Sequence, residues 1–404
     1  MASNRSQFSR YSTFALSVLV GMMFNVGGLF AGRAAVLLND LYENIGWVFI
    51  IYPLMLTVRG DINGILTGKL GSELHLGSLK PSFRKNTDRF QHLIILIVII
   101  SVYDSILVGI VATLVSTLMG IPSNFFAILA ISMTTFIIGA MISLTITFTL
   151  TFWIFRKNGD PDVYVYPIMS SVNDIIVTLV FFSICFLYRP WKTNLHYYLG
   201  LPIIGLILSA TTFLIIKNRK SKFIRESVKQ ALPTLTFTNI IAAGTGSVLT
   251  LFRGVIQTFP ILLVVYPAIL STVGGQGSVL ANTTTTKLHL GNIKPNVKYL
   301  KTDEFYIPFA GIMSSGIIVS AIISILGFLM ITSDITTVFY FKFLLVLIIT
   351  NIIAFSLVGI LAMTSAFLTY RLRLDPDNLV IPILSSTADL ITTTSLVLIF
   401  LLII

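Results

Sequence analysis

The sequence predicts an all-α polytopic membrane protein, made of two parallel five-helix repeats joined by one linking transmembrane helix. Three observations lead to this fold class. Charged residues make up 11% of the 404-residue chain, whereas a soluble domain has about 25%. Apolar runs long enough to cross a bilayer, about 17–25 residues each, recur from end to end. One segment of nineteen residues also occurs twice in closely similar form.

The repeated segment reads DPDVYVYPIMSSVNDIIVT at 160–178 and DPDNLVIPILSSTADLITT at 375–393. At an offset of 215, eleven of the nineteen positions are identical, and Asp174 aligns with Asp389. A second stretch, 52–81, aligns with 266–295 at an offset of 214. The similarity therefore covers most of each half, which indicates a gene duplication.

Eleven spans follow from the apolar runs, five on each side of a linking span. They cover approximately residues 9–38, 45–74, 90–119, 123–155, 161–188, 195–216, 224–252, 257–288, 304–332, 336–370 and 377–404. The first run has no small-residue cleavage site, so it is interpreted as a transmembrane helix rather than a signal peptide.

The predicted units are a first repeat at 1–190, a linking helix with a basic linker at 191–222, and a second repeat at 223–404. A unit with an odd number of helices, followed directly by its copy, would place the copy upside down in the membrane. The linking span restores the first orientation. The repeats are therefore expected to be parallel, with a pseudo-two-fold axis along the membrane normal.

The distribution of basic residues predicts the orientation. With the N-terminus inside, the inward segments hold 21 of the 27 Lys and Arg residues and the outward segments hold five. The positive-inside rule then predicts a multi-pass protein of the cell membrane, with a cytoplasmic N-terminus and an extracellular C-terminus. The net charge of +11 is thus assigned to orientation in a lipid bilayer and not to nucleic acid. The duplication is compatible with a monomer that contains an internal pseudo-dimer.

Several functional classes are disfavoured by what the chain lacks. Cys185 is the single cysteine, so neither an intrachain disulfide nor a thiol metal cluster can form. The four histidines show no spacing typical of a zinc site. No phosphate-binding loop and no nucleophile–base arrangement is present, so we do not expect an enzyme.

The fifth helix of each repeat carries the candidate site. Ser170, Asp174 and Thr178 are four residues apart and share one helical face. The candidate metal ligands are Asp174, Asp389, Ser170, Ser385, Thr178 and Thr393, with Asn173 and Asp61 as further oxygen donors. Hard cations such as Mg²⁺ prefer oxygen ligands and keep several waters. A charge at bilayer depth seldom lacks a function, but each aspartate could instead be a buried residue satisfied by neighbouring hydroxyls.

The second helix is rich in glycine, which permits close packing or local unwinding. Asp61 is considered as a ligand, although its counterpart in the second repeat is Gly275. We expect Arg59 and Asp61 to form an ion pair, which would weaken Asp61 as a metal ligand. Asp104, on the third helix, has no acidic counterpart.

The DPD segments at 160–162 and 375–377 are typical of a helix start, with aspartate as N-cap and proline at the first helical position. Four carboxylates at the inner mouth could additionally raise the local concentration of cations.

The Gly-rich second helix and the P-x6-D pattern from Pro167 to Asp174 together resemble the integral-membrane domain of the MgtE and solute carrier 41 magnesium transporters. The resemblance covers essentially the whole chain, as two fused copies. It implies that Asp174 and Asp389 line a pore and bind Mg²⁺. Where the family has Gly-Asn after the second-helix proline, this chain has Gly60-Asp61 and Gly274-Gly275.

The sequence thus predicts a channel or carrier for divalent cations, above all Mg²⁺, with the ion passing between the repeats beside the paired aspartates. Mg²⁺ would be the transported ion, bound in the pore. The alternative is a Na⁺- or H⁺-coupled exchanger that exports Mg²⁺. A third reading is a membrane scaffold that transports nothing.

Overall fold

The computed structural model describes residues 2–36, 41, 45–157, 161–187, 195–289, 291–331, 336–372 and 376–404. Within these ranges the chain is helical apart from short loops, and eleven helices are long and apolar enough to cross a membrane. The predicted all-α polytopic fold class is therefore confirmed. The first repeat contains α1 (Ala2–Met23), α2 (Gly28–Ala35), α3 (Val48–His75), α4 (Asp88–Leu118), α5 (Phe125–Arg156) and α6 (Pro161–Leu187). The linking helix α7 (Leu195–Lys217) leads to α8 (Lys222–Leu251), α9 (Arg253–Thr258), α10 (Ile261–His289), α11 (Asp303–Leu329), α12 (Thr337–Leu372) and α13 (Pro376–Ile403).

The first predicted span is not one continuous helix. A 3₁₀ turn at Phe24–Gly27 separates α1 from α2, whereas α8 runs unbroken through the equivalent part of the second repeat. The first repeat has Gly27-Gly28 where the second has Ile241-Ala242. Glycine is less favourable than alanine in a helix by about 1 kcal/mol, so two adjacent glycines allow the break.

The second helix of each repeat lies at the centre of the molecule. In both α3 and α10, 94% of the most apolar 18-residue stretch is buried inside the protein. The corresponding share in α7 is 17%. A helix that is buried on all sides and still carries polar residues is a suitable wall for an internal site. The linking helix, in contrast, lies at the periphery.

The first helices take part in an exchange between the repeats, in which each packs on the other repeat as well as on its own. Helix α2 packs on α10 of the other repeat, and α8 packs on α3. At these crossings a Cβ atom on Gly32 would lie 1.9 Å from the Val264 carbonyl oxygen, and one on Gly246 would lie 2.6 Å from that of Ile50. Both glycines are required by close backbone approach, and both crossings obey the offset of 214.

The loop after the second helix is also duplicated. Gly77 and Gly291 adopt φ of +70° and +71°, a conformation that favours glycine. Helices α6 and α13 begin at Pro161 and Pro376, as expected for proline at the first helical position. The DPD carboxylates themselves lie outside the described residues and side chains.

Candidate functional site

The two fifth-helix aspartates line one cavity between the repeats. Asp174 on α6 and Asp389 on α13 are buried, with 1% and 8% of their surface exposed. The cavity has a volume of about 20 Å³ and is lined by Leu56, Arg59, Gly60, Ser170, Asp174, Pro267, Leu270, Ser271, Gly274, Gly275, Ser385 and Asp389. Helices α3, α6, α10 and α13 therefore supply its walls, two from each repeat. One water needs about 10–15 Å³, so this conformation of the site is closed around a space too small for an ion with several waters.

Each aspartate accepts a hydrogen bond from the second helix of the other repeat. Thr57 Oγ1 on α3 donates to Asp389 Oδ2 at 2.7 Å, and Ser271 Oγ on α10 donates to Asp174 Oδ2 at 2.6 Å. Thr57 and Ser271 are equivalent at the offset of 214. Each hydroxyl lies one turn after the proline inside its helix, Pro53 or Pro267, so the duplicated proline and the hydroxyl form one motif. Neither hydroxyl is among the ligands predicted from the sequence, because the offset shows their equivalence but not their partners.

An arginine makes the two halves unequal. Arg59 on α3 forms an ion pair with Asp174, and its Nη1 also donates to the Ser170 carbonyl oxygen at 2.9 Å. The equivalent residue in the second repeat is Val273, and no ion pair of Asp389 is recorded within the described chain. The cavity wall therefore carries two carboxyl groups and one guanidinium, and with both carboxyl groups ionised its net charge is −1.

The expected ion pair between Arg59 and Asp61 is wrong. Residues two apart on a helix point in different directions, and here Arg59 turns towards α6 while Asp61 turns towards α13. Ser386 Oγ donates to the two carboxylate oxygens of Asp61 at 3.2 and 3.1 Å. Asp61 is fully buried and does not line the cavity between the repeats.

Asn173, another expected oxygen donor, lines a different cavity. This second cavity has a volume of about 30 Å³, lies within the first repeat, and is also lined by Asn63 and Ser101. The Asn173 Oδ1 atom has no hydrogen-bond partner among the described residues. Arg59 borders both cavities.

The two threonines of the fifth helices face buried tyrosines. Thr178 Oγ1 is 3.2 Å from the Tyr52 hydroxyl, and Thr393 Oγ1 is 3.0 Å from that of Tyr266. Neither threonine lines the cavity between the repeats. They tie each fifth helix to the second helix of its own repeat, one turn away from the aspartate.

The two serines lie where the sequence predicted them, beside the aspartates. Ser170 and Ser385 both line the cavity, and Ser170 Oγ donates to Ser271 Oγ at 3.3 Å. The 3₁₀ turn in the first helix adds a further link, because Asn25 Nδ2 donates to the Ser271 carbonyl oxygen at 3.3 Å. Ser171 Oγ in turn donates to Asn25 Oδ1 at 3.3 Å.

The polar groups of the cavity are suited to a hard cation. Apart from the guanidinium, its polar side chains offer hydroxyl and carboxylate oxygens only, which is the ligand type that Mg²⁺ prefers. Among the described residues, no group of three or more His, Cys, Asp or Glu side chains is close enough to hold a metal ion. Carboxylate and hydroxyl oxygens are a ligand set that hard divalent cations accept.

Two regions of the chain, residues 52–184 and 266–399, match the model of the MgtE family, described as divalent cation transporters. These regions correspond to the second to fifth helices of each repeat, and together they cover more than half of the chain. Comparison with curated proteins and with solved structures finds no match.

Proposed function

The chain belongs to the MgtE family of divalent cation transporters, and on this premise we propose that it moves Mg²⁺ between its two repeats, past Asp174 and Asp389. One observation carries the proposal. Aspartates from separate repeats line a single cavity walled by α3, α6, α10 and α13. The family is one of transporters and not of enzymes, and the eleven apolar helices make this a multi-pass membrane protein.

Asp389 is the principal anionic ligand in this proposal, because the positive charge of Arg59 is already paired with Asp174. Thr57 and Ser271 hold the two carboxylates in position. Ser170 and Ser385 orient the water that remains on the ion. Thr178 and Thr393 act indirectly, by fixing the fifth helices through the tyrosines.

Passage of Mg²⁺ requires the site to open. Mg²⁺ dehydrates reluctantly and usually keeps several waters, and a cavity of about 20 Å³ cannot accept that hydrated ion. We infer an alternation between the closed form and a wider form in which α3 and α10 separate from the fifth helices. Inward movement would be driven by an inside-negative potential, worth about 2.3 kcal/mol per elementary charge at 100 mV.

The proposed setting is the cell membrane, with the N-terminus in the cytoplasm and the C-terminus outside. The bias of basic residues towards the inward segments supports this orientation. Since both halves of the pathway lie in one chain, a monomer with an internal pseudo-dimer is sufficient. Lipid and divalent cations are then the only partners that the activity needs.

Flux of Mg²⁺ into liposomes that contain the purified protein tests the proposal, with the voltage clamped inside-negative. Asp174→Ala and Asp389→Ala should each abolish most of the flux, while Asp88→Ala should not, because Asp88 is exposed at the start of α4. Transport by both cavity variants at the unmutated rate would overturn the proposed path past the two aspartates. Absence of Mg²⁺ flux through the unmutated protein would favour the scaffold hypothesis.

A Na⁺- or H⁺-coupled exchanger is the second candidate function. It is favoured by one observation, namely that Asp61 and Asp104 are fully buried carboxylates outside the cavity between the repeats. A Na⁺ or pH gradient imposed at zero voltage distinguishes the two functions, because a channel does not concentrate Mg²⁺ in response to either gradient.

A further inference from the structure

A much larger cavity lies at the end of the molecule that the proposed orientation places in the cytoplasm. The last turns of α3, the start of α4 and the first turns of α8 surround it, and its volume is about 350 Å³. Cavities that bind small molecules usually measure about 300–1,000 Å³. We call it the basic cavity, because Lys69, Arg89 and Lys222 line it.

Positive charge predominates among the side chains of the basic cavity. Two acids, Glu73 and Glu226, also line it. Arg89 Nε lies 3.7 Å from Glu73 Oε2, and Lys222 Nζ lies 3.8 Å from Glu226 Oε1. Three basic and two acidic side chains leave one net positive charge, so the cavity is suited to an anion.

An aromatic ring holds two of the cationic groups close together. The centroid of the Phe223 ring is 4.5 Å from Arg89 Cζ and 5.7 Å from Lys69 Nζ, which is the range of cation–π contacts. Lys69 is only 7% exposed. Because its charge is shielded from bulk water, an anion in the cavity would interact with it more strongly than with a surface lysine.

The chain around α8 adds further positive charge. Residues 217–229 contain six basic residues and one acidic residue. The first turn of α8 has two basic residues and no acidic one, so the positive end of the helix dipole is not offset there. Four to eight basic residues beside the cytoplasmic end of a membrane helix are typical of binding to anionic phospholipids.

The exposed face of α8 connects the basic cavity with the lipid-facing surface. Glu226 and Gln230 line the cavity. Pro233, Phe237 and Ile240 continue the same exposed stripe, in steps of three or four residues that keep to one helical face. Phe237 is 53% exposed and Ile240 is 62% exposed. A molecule with a charged group and apolar chains therefore fits the cavity and the stripe together.

We propose that the basic cavity binds the phosphate headgroup of an anionic phospholipid. The phosphate pairs with Lys69 and Arg89, and the acyl chains lie along α8 beside Phe237 and Ile240. Since α3 and α4 belong to the first repeat and α8 to the second, the bound lipid holds the two repeats together at this end. The inference does not depend on which ion the protein moves.

The basic residues of this cavity are not duplicated. Lys69 corresponds to Thr283 at the offset of 214, and Arg89 corresponds to Glu304 at the offset of 215. A lysine is thus replaced by a neutral residue and an arginine by an acid. We therefore expect one such lipid for each chain.

Thermal unfolding of the full-length protein in detergent tests the proposal, with dioctanoyl phosphatidylglycerol, dioctanoyl phosphatidylcholine or inorganic phosphate added at equal concentrations. A ligand that binds the folded state raises the melting temperature. We expect phosphatidylglycerol to raise it clearly and the other two to have little effect. Native mass spectrometry should find one phosphatidylglycerol bound to each chain.

Variants that carry the residues of the second repeat locate the site. Loss of one positive charge near a lipid surface weakens binding about fivefold. Lys69→Thr should therefore bind phosphatidylglycerol about fivefold more weakly, and Arg89→Glu, which reverses a charge, about 25-fold more weakly. Lys298→Gln is the matched control, because Lys298 is exposed in the second repeat and its loss should leave the affinity unchanged.

Three results would overturn the inference. They are equal effects of phosphatidylglycerol and phosphatidylcholine, unchanged affinity for phosphatidylglycerol in Arg89→Glu, and an effect of inorganic phosphate as large as that of the lipid, which would show that a soluble anion suffices. If Lys69→Thr and Arg89→Glu do not fold, Lys222→Gln decides. The Lys222 side chain is 78% exposed, so its replacement should leave the fold intact and weaken lipid binding about fivefold.

Discussion

The two halves of the cavity have the same arrangement of aspartate and hydroxyl, and they differ in charge at one lining residue, Arg59. Asp174 and Asp389 each accept a hydrogen bond from the hydroxyl at the equivalent position of the other repeat. Only Asp174 also forms an ion pair with an arginine, because the residue equivalent to Arg59 in the second repeat is Val273. Two identical copies would both carry the arginine or both lack it. Fusion of the repeats has thus allowed a cavity with one neutralised and one available carboxylate.

This difference assigns separate tasks to two aspartates that look alike in the sequence. A carboxylate held by a buried guanidinium stabilises the fold and has little freedom to bind an ion. The other carboxylate carries the net charge of the cavity and is the one that an entering cation meets. Substitutions in the two halves should therefore differ in kind as well as in size.

The largest expected effect is on flux, from Asp389→Asn. The remaining carboxylate is bound to Arg59, so no free anion is left, and Mg²⁺ flux should fall more than about 100-fold, the upper end of what loss of a supporting metal contact costs. Asp174→Asn should also reduce flux, but in addition it leaves Arg59 buried without a partner. That change should lower the free energy of unfolding by about 3–5 kcal/mol.

Thermal unfolding in detergent separates the two variants. Asp389→Asn should unfold no earlier than the unmutated protein, and Asp174→Asn should unfold clearly earlier. Stability should return in the double variant Arg59→Val/Asp174→Asn, because neither charge is then left alone. Equal stability of the two single variants would contradict the assignment of separate tasks.

The next largest effect is expected on the affinity for Mg²⁺, from Arg59→Val. This substitution places valine in the first repeat, as at the equivalent position 273 of the second. The cavity then carries two uncompensated carboxylates. We expect Mg²⁺ to bind about tenfold tighter, which corresponds to about 1.4 kcal/mol. The protein without Mg²⁺ should be less stable, and its melting temperature should rise more steeply with Mg²⁺ than that of the unmutated protein.

Arg59→Lys is the matched control, since it keeps the positive charge without the two-pronged geometry of the guanidinium. Its melting temperature should respond to Mg²⁺ as that of the unmutated protein does. If Arg59→Val showed the same response as Arg59→Lys, the charge of Arg59 would not govern the site.

Much of the fold could be predicted from the sequence because span length and hydropathy are local properties. The break at Phe24–Gly27 and the exchange of first helices could not be predicted in this way. The break depends on two glycines whose effect varies with packing, and the exchange depends on close crossings at Gly32 and Gly246. Such crossings join residues that are far apart along the chain.

Only the part of the candidate site that is visible as a local sequence pattern could be predicted. The duplicated aspartates stand out because their identity and spacing are preserved. Thr57 and Ser271 are also equivalent, but the offset alone does not reveal that each bonds the aspartate of the other repeat. Closeness in sequence predicts an ion pair between Arg59 and Asp61, whereas helical geometry directs the two side chains to different neighbours.

A smaller effect on Mg²⁺ flux is expected from Thr57→Val and Ser271→Ala. Each removes one of the two equivalent hydroxyls that bond the aspartates. A hydrogen bond to a charged group is worth about 1.5–3 kcal/mol, but water can replace part of it at a cavity wall. We expect Mg²⁺ flux to fall about five- to tenfold, which corresponds to about 1 kcal/mol. The loss should be larger for Thr57→Val, because Asp389 has no arginine to hold it. Thr113→Val on α4, which removes a partly buried hydroxyl bonded only within its own helix, is the control.

The smallest effect on Mg²⁺ flux is expected from Tyr52→Phe and Tyr266→Phe, and it should be equal in the two repeats. Each tyrosine is buried and contacts the fifth-helix threonine of its own repeat, at 3.2 and 3.0 Å. Loss of one such hydrogen bond costs about 1 kcal/mol, and we expect both variants to lower stability by this amount and to reduce Mg²⁺ flux equally. Tyr103→Phe, which removes a contact with Thr236 away from the cavity, shows how much of the change is general. Equal losses of flux would mean that Arg59 accounts for the difference between the two halves of the cavity. A much larger loss in one repeat would mean that the tyrosine contacts also differ between the halves.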